Sequence, residues 1–238
     1  MKKRLLIMVL SVVIILFGIL FIKSLNEKEM VVTALGDSLA YGVGDTNDNG
    51  YLGDVKERYE ADTGRTLIVE NFGVPNDTST DLLHRLENKR ITKSAMRSNF
   101  VLINIGTNDF LKSTDKLTTF NKPELMKNEE IYKNNLNKAL NIIQDENKQK
   151  PIYILGIYNP KVEGTNDSHI NEAIQSWNQT TKQVTESRSN VAFIPTNDIF
   201  QSKNKKEYFS DVLHPNKKGY HLIAKRVHDT LTINSNYQ

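Results

Sequence analysis

A three-layer α/β/α domain built on a five-stranded parallel sheet, of flavodoxin-like type, is predicted by two features of the chain. Five short runs are apolar without alternation, and helical spacing follows each of them. Strands that are apolar on both faces belong to parallel sheets covered by helices on either side. A third feature says where to look for function. The runs end in small or polar residues, and ligands of such sheets bind beyond the carboxyl ends of the strands.

The elements follow in order. Val31–Leu35 is the first strand and ends in Gly36; Leu52, Val55 and Tyr59 then mark a helix. The second strand starts at Leu67–Val69 and runs to Phe72-Gly73, before a helix carrying Leu82, Leu83 and Leu86. Phe100–Ile105 is the third strand. The polar stretch Asp109–Glu129 shows no sustained period and is expected to be a loop. Tyr132, Leu136, Leu140 and Ile143 follow helical spacing, and Pro151 precedes the fourth strand, Ile152–Ile157. A second loop, Asn159–Ser168, leaves that strand. Ile170, Ile174, Trp177 and Val184 mark the next helix, with Trp177 expected in the core. Val191–Ile194 is the fifth strand, and Tyr220, Ile223, Val227 and Leu231 mark the last helix. Both loops leave the carboxyl end of a strand, where substrate-gating loops and plain surface insertions are alike found.

The first thirty residues stand apart. Residues 5–22 form an uncharged run of eighteen residues. As a helix it would span ~27 Å, close to a bilayer's hydrocarbon core. Lys2, Lys3 and Arg4 precede it, which places the N-terminus in the cytoplasm. No small-x-small cleavage site follows Ile22, so an uncleaved signal anchor fits better than a cleaved signal. Residues 1–30 are thus expected to be a cytoplasmic N-terminus, an anchor and a short linker, with 31–238 as an extracytoplasmic domain at the cell membrane.

Charge supports this division. The chain of 238 residues has a net charge of +3. Five basic and two acidic side chains lie within residues 1–30, leaving 26 of each sign in the remainder. A neutral domain carries no basic footprint for nucleic acid. Cysteine is absent, which excludes disulfides, thiolate metal sites, a cysteine nucleophile and a lipidated cysteine.

The ends of the predicted strands carry the chemistry. They deliver Gly36-Asp37-Ser38-Leu39, then Asn71-Phe72-Gly73, then Gly106-Thr107-Asn108-Asp109. Asp211-Val212-Leu213-His214-Pro215-Asn216 is expected to open the last helix, with Pro215 in its first turn. A serine hydroxyl needs a base to become a nucleophile, and histidine suits that task near neutral pH. The imidazole in turn needs its tautomer fixed, which an aspartate does. Asp211 and His214 lie three apart, so one turn can point both the same way. Acyl transfer also needs donors for an oxyanion, available from the Ser38 N–H, the Gly73 N–H and the Asn108 amide. At position 73, glycine would let the backbone approach a substrate closely.

In order and spacing these blocks resemble the SGNH/GDSL hydrolases, a family of esterases, lysophospholipases, thioesterases and carbohydrate deacetylases. The resemblance covers nearly all of residues 31–238. It implies Ser38 as nucleophile, His214 as base and Asp211 as its orienter, with Ser38, Gly73 and Asn108 forming the oxyanion hole. Gly36, Asp37, Leu39, Gly106, Thr107 and Asp109 are then supporting motif residues; Asp37 and Asp109 are read as structural hydrogen-bonding groups. Gly42-Val43-Gly44-Asp45 and Asn216-x-x-Gly219-Tyr220 resemble membrane-anchored Gram-positive members. The implied reaction is cleavage of a carboxylic ester through an acyl-Ser38 intermediate, with no metal or organic cofactor. Short acyl esters, lipids and glycan esters all suit it, and the oligomeric state is left open. The alternatives are an O-acyltransferase or a deacetylase acting on cell-wall glycans, and a non-catalytic glycan- or lipid-binding module. A single apolar span, with no multi-span domain to deliver a donor, speaks against the transferase.

Other signals are weaker. Asp45–Gly50 reads like the front of an EF-hand, but position 12 of that loop is Lys56 where a bidentate Glu is needed. Gly42-x-Gly44 is too short for a dinucleotide fingerprint. His84, His169, His221 and His228 form no metal-binding pattern.

Overall fold

The computed structural model describes residues 12–18, 29–45, 47, 50–115, 119–146, 150–160, 167–201 and 203–235. A parallel five-stranded sheet forms its centre, in the order β2-β1-β3-β6-β7. The strands are β1 (Glu29–Gly36), β2 (Thr66–Gly73), β3 (Phe100–Asn104), β6 (Ile152–Leu155) and β7 (Val191–Ile194). Every pairing among them is parallel, as two-sided apolar strands require. The expected α/β/α layers and sheet are therefore present.

Ten helical segments are described: α1 (12–18), α2 (Ser38–Tyr41), α3 (Gly50–Thr63), α4 (Ser79–Arg85), α5 (Lys89–Arg97), α6 (Thr107–Leu111), α7 (Lys122–Glu146), α8 (Asp167–Glu186), α9 (Lys205–Tyr208) and α10 (Lys217–Ser235). One face of the sheet packs against α4, α5, α7 and α8, with Leu82, Ile91, Leu136 and Trp177 meeting Leu35, Ile103 and Ile154. The other face packs against α3 and α10, where Leu52, Val55, Ile223 and Val227 meet Val32, Ala34 and Leu102. Trp177 is fully buried, as expected. It stacks on Tyr132 at 5.0 Å and meets Phe110 edge-on at 5.6 Å. Removing such a ring leaves a cavity worth about 3–5 kcal/mol.

Four expectations are corrected. The stretch Asp109–Glu129 is not a plain loop. It holds most of α6, a small antiparallel hairpin of β4 (Thr114–Asp115) and β5 (Thr119–Phe120), and the first turns of α7. Those turns are largely exposed, so they carry no apolar period. Their start is signalled instead by the Asn121 side chain, which accepts the Glu124 N–H at 3.2 Å. The Leu82 pattern covers α4, and a separate α5 follows, capped by Asn88 accepting the Arg90 N–H at 2.9 Å. Pro215 does not lie in the last helix. It forms an isolated bridge with Phe209, and Asn216 caps α10 by accepting from Lys218 and Gly219. The fourth strand is also shorter than expected, ending at Leu155.

Of the apolar run 5–22, only 12–18 lies among the described residues; it is helical and exposed. Among the described residues no helix is long and apolar enough to cross a membrane. Most of the expected anchor, and residues 161–166 of the second loop, lie outside the described residues.

Candidate active site

Ser38 is the first residue of α2, directly beyond β1. Asp37 caps this short helix, its Oδ1 accepting the Leu39 N–H at 3.0 Å. The Asp37 N–H donates to the Asn104 carbonyl at 3.1 Å, which ties the turn to β3. Leu39 is buried in the core beneath, so the turn is held from below. Ser38 is itself 6% exposed. Its N–H, in the first turn, has no acceptor within the helix.

His214 comes from the far end of the chain. Its Nε2 stands 2.9 Å from Ser38 Oγ and its Nδ1 stands 2.8 Å from Asp211 Oδ2. Asp211 Oδ1 also accepts the main-chain N–H groups of Leu213 and His214, at 2.8 and 2.7 Å. Partial burial works to raise the Asp211 carboxyl. The amides of His214 and Leu213 and the His214 ring outweigh it, so the pKa lies below the ordinary value and the group stays an anion.

The loop around His214 is fastened on several sides. The Ser210 N–H and hydroxyl both donate to the His214 carbonyl, at 2.9 and 3.1 Å. The Tyr158 hydroxyl donates to the Leu213 carbonyl at 2.9 Å. Gly44, at φ 97°, lies against Pro215 and the His214 side chain, where a Cβ would stand 3.3 Å from His214 Cβ. The Gly42-x-Gly44 pair thus belongs to the turn that supports the histidine, and the Tyr220 hydroxyl holds Val43 between them through its carbonyl.

The remaining blocks meet at the same sheet edge. Asn108, in α6, donates its side-chain amide to the Asp77 carbonyl at 2.8 Å, which leaves its second amide hydrogen for another acceptor. Gly36 ends β1, Gly106 caps α6 at φ 114°, and Thr107 opens that helix with its hydroxyl buried and unpartnered among the described residues. Asp109 accepts the N–H and hydroxyl of Ser79 at 2.8 and 2.5 Å, which locks α4 to α6.

Gly73 differs from expectation. Its N–H donates to Asn71 Oδ1 at 2.8 Å, while Asn71 Nδ2 donates to the Ala40 carbonyl. A Cβ at position 73 would stand 2.7 Å from the Ala40 carbonyl carbon and press on the Tyr41 amide. The close approach of the α2 backbone thus requires glycine at this position. Asn76 was missed by the sequence reading. It is the one non-glycine at positive φ among the described residues, at 69°, and it directly precedes Asp77. Left-handed conformations at such residues often mark functional loops. An Asn-Asp pair after a strand is the only signal the sequence offers.

Burial pushes the Asp37 carboxyl up to about 7, against the pull of the Leu39 N–H; Asp109 and Asp77 add repulsion. Its Oδ2 is buried without a partner among the described residues. Asp77 is paired with Arg85 at 2.6 Å, and Arg85 also donates to the Phe72 carbonyl. Among the described residues no group of three His, Cys, Asp or Glu is placed to hold a metal ion. His221 and His228 pair with Asp54 and Asp62 of α3, at 2.8 and 3.2 Å.

The model of the GDSL-like Lipase/Acylhydrolase family matches residues 34–222. The chain belongs to this family. The GDSL-like acylhydrolases are ester hydrolases, and Ser38, Asn108, Asp211 and His214 all fall inside the matched segment. The chain is similar to the uncharacterized protein YpmR of Bacillus subtilis, 28% identical over 211 residues, covering 87% of this chain and 83% of that protein. Among solved structures it is similar to the lipase Lip_vut3 from a goat rumen metagenome, with TM-score 0.72 and 23% identity, over 84% of this chain and 96% of that one. The acetylxylan esterase Axe2 of Geobacillus stearothermophilus gives 0.65 and 20%, over 83% and 92%. The esterase EstA of Pseudoalteromonas sp. gives 0.65 and 20%, over 87% and 98%. At these identities the likeness of the solved structures is one of fold.

Proposed function

We propose that this GDSL-like acylhydrolase cleaves carboxylic esters through an acyl-Ser38 intermediate, on the outer face of the cell membrane. The observation that carries the reading is the continuous chain from Ser38 Oγ through His214 to the Asp211 carboxylate. His214 Nε2 takes the hydroxyl proton as Oγ bonds to the acyl carbon. Asp211 holds Nδ1–H and stabilises the imidazolium that results. The carbonyl oxygen becomes an anion, met by the Ser38 N–H and the second amide hydrogen of Asn108. Collapse expels the alcohol with the proton from His214. A water then gives its proton to the same nitrogen, attacks the acyl carbon and releases the acid.

The membrane part rests on the apolar run 5–22 and the basic residues before it. We read residues 5–22 as an uncleaved anchor of Gram-positive type, joined by a short linker to one catalytic domain that begins with β1. The name of the Axe2 relative supports acetyl esters of glycans, and that of Lip_vut3 supports lipid esters; both are compatible with the mechanism.

A fluorophosphonate probe tests the chemistry. It should label Ser38 in folded protein and fail on Ser38→Ala, which should also lose turnover of aryl acetates. Normal turnover by purified Ser38→Ala would sink the mechanism.

A further inference from the structure

The chain enters the sheet at one edge, and the candidate site stands at the other. β1 starts at Glu29 and ends at Gly36, with Ser38 two residues beyond. Seven strand steps separate those ends by ~23 Å. Glu29 pairs with Thr66 at the start of β2, and Gly36 pairs with Gly73 at its end, so the two edges are the two ends of the same strands. β1 is an inner strand, flanked by β2 and β3, and helices cover both faces of the sheet.

The tether is short. The apolar run ends at Ile22, so only residues 23–28 separate it from Glu29. Seven Cα–Cα steps reach at most ~25 Å. Turning the site down onto the bilayer would require that tether to leave the base of the sheet, pass outside a helical layer ~10 Å thick and climb the ~23 Å height of β1. The path exceeds the reach before the loops above the sheet are counted.

We infer that the anchored enzyme holds its catalytic edge away from its own bilayer, and that its substrate is an ester borne by a water-exposed molecule or polymer, not a glycerolipid of the membrane in which it sits. This rests on the anchor and hydrolase readings above. Tyr41, Val74 and Val212 are exposed apolar side chains on the catalytic edge. In this orientation they face solvent, away from the bilayer.

The full chain in phosphatidylcholine–phosphatidylglycerol vesicles provides the test. It has no cysteine, so a single fluorophore can be placed at Arg65→Cys, beside the point of entry, or at Val74→Cys, on the catalytic edge. Lipid-borne quencher should dim the probe at position 65 and leave that at position 74 bright. In the same vesicles an aryl acetate and an O-acetylated glycan report soluble and polymeric esters, and resident lysophosphatidylcholine reports lipid. Turnover of one or both water-borne esters, with loss of lipid turnover, is expected. Equal quenching at the two positions, or lipid cleavage as fast as that of the water-borne esters, overturns the inference. Flotation separates the underlying readings: protein that does not float with the vesicles defeats the anchor, and with it the orientation. Failure of the fluorophosphonate to label Ser38 defeats the hydrolase alone.

Discussion

Asp211 grips His214 twice, through the ring at 2.8 Å from Nδ1 and through the main-chain N–H at 2.7 Å. One carboxylate therefore fixes both the imidazole tautomer and the backbone that carries it. In Asp211→Asn the Oδ1 acceptor survives, but an amide N–H faces Nδ1 and forces the wrong tautomer. We expect kcat to fall by ~10⁴ with little change in melting temperature. Asp211→Ala should lose the loop contacts as well and melt earlier. Calorimetry beside ester kinetics distinguishes the two, and an active Asp211→Asn enzyme would refute the tautomer argument.

Gly73 and Asn108 should respond in opposite ways. A Cβ at position 73 meets the α2 backbone, so Gly73→Ala should cost ~1–3 kcal/mol of stability through overpacking. Asn108→Ala removes an oxyanion donor and should cut kcat by ~10²–10³. The check is a denaturant midpoint and a kcat for each. A Gly73→Ala enzyme with unchanged stability and a collapsed kcat would return Gly73 to the oxyanion hole.

The contrast shows what the sequence carries and what it does not. Asp211-x-x-His214 was legible because three-residue spacing in one turn nearly dictates the contact. The inner strands β3 and β6 were legible because both of their faces are apolar and buried. Gly73 was legible as a constrained glycine but not as to its cause, since the backbone it meets belongs to α2, some thirty residues earlier. The start of α7 was hidden because its first turns face solvent and leave no period. Asn76 was hidden because backbone dihedrals at a single asparagine leave almost no trace in residue type.

Asp37 should make stability depend on pH. Its folded carboxyl titrates at about 7, whereas in the unfolded chain it titrates near ~4. Between those values the native state holds a proton that the unfolded state has lost. Stability is therefore fully present below ~4, falls as pH rises toward about 7, and levels off above it, by at most roughly 4 kcal/mol. Asp37→Asn imitates the protonated form and keeps an oxygen for the Leu39 N–H. Urea midpoints from pH 4 to 8 should slope less in this variant than in the parent, leaving the contribution of Asp109, which burial also raises. Parallel slopes would show that Asp37 is ionised throughout.

Tyr158 offers a test of positioning without touching the reacting groups. Its hydroxyl donates to the Leu213 carbonyl at 2.9 Å, one residue before the base. Burial raises its pKa well above the ordinary value, so it remains a donor across the working range. Tyr158→Phe keeps the ring against Phe200 and Phe209, at 5.0 and 5.8 Å, and removes only this bond. A hydrogen bond of this kind is worth ~1 kcal/mol, so a modest loss of stability is expected in any case. If the bond also aims His214, kcat should fall several-fold while KM holds, because the ester still binds but Nε2 meets Oγ less often. Fluorophosphonate labelling should slow by the same factor, since it uses the same nucleophile and base. A melting shift with unchanged kcat and labelling rate would make Tyr158 a packing residue only.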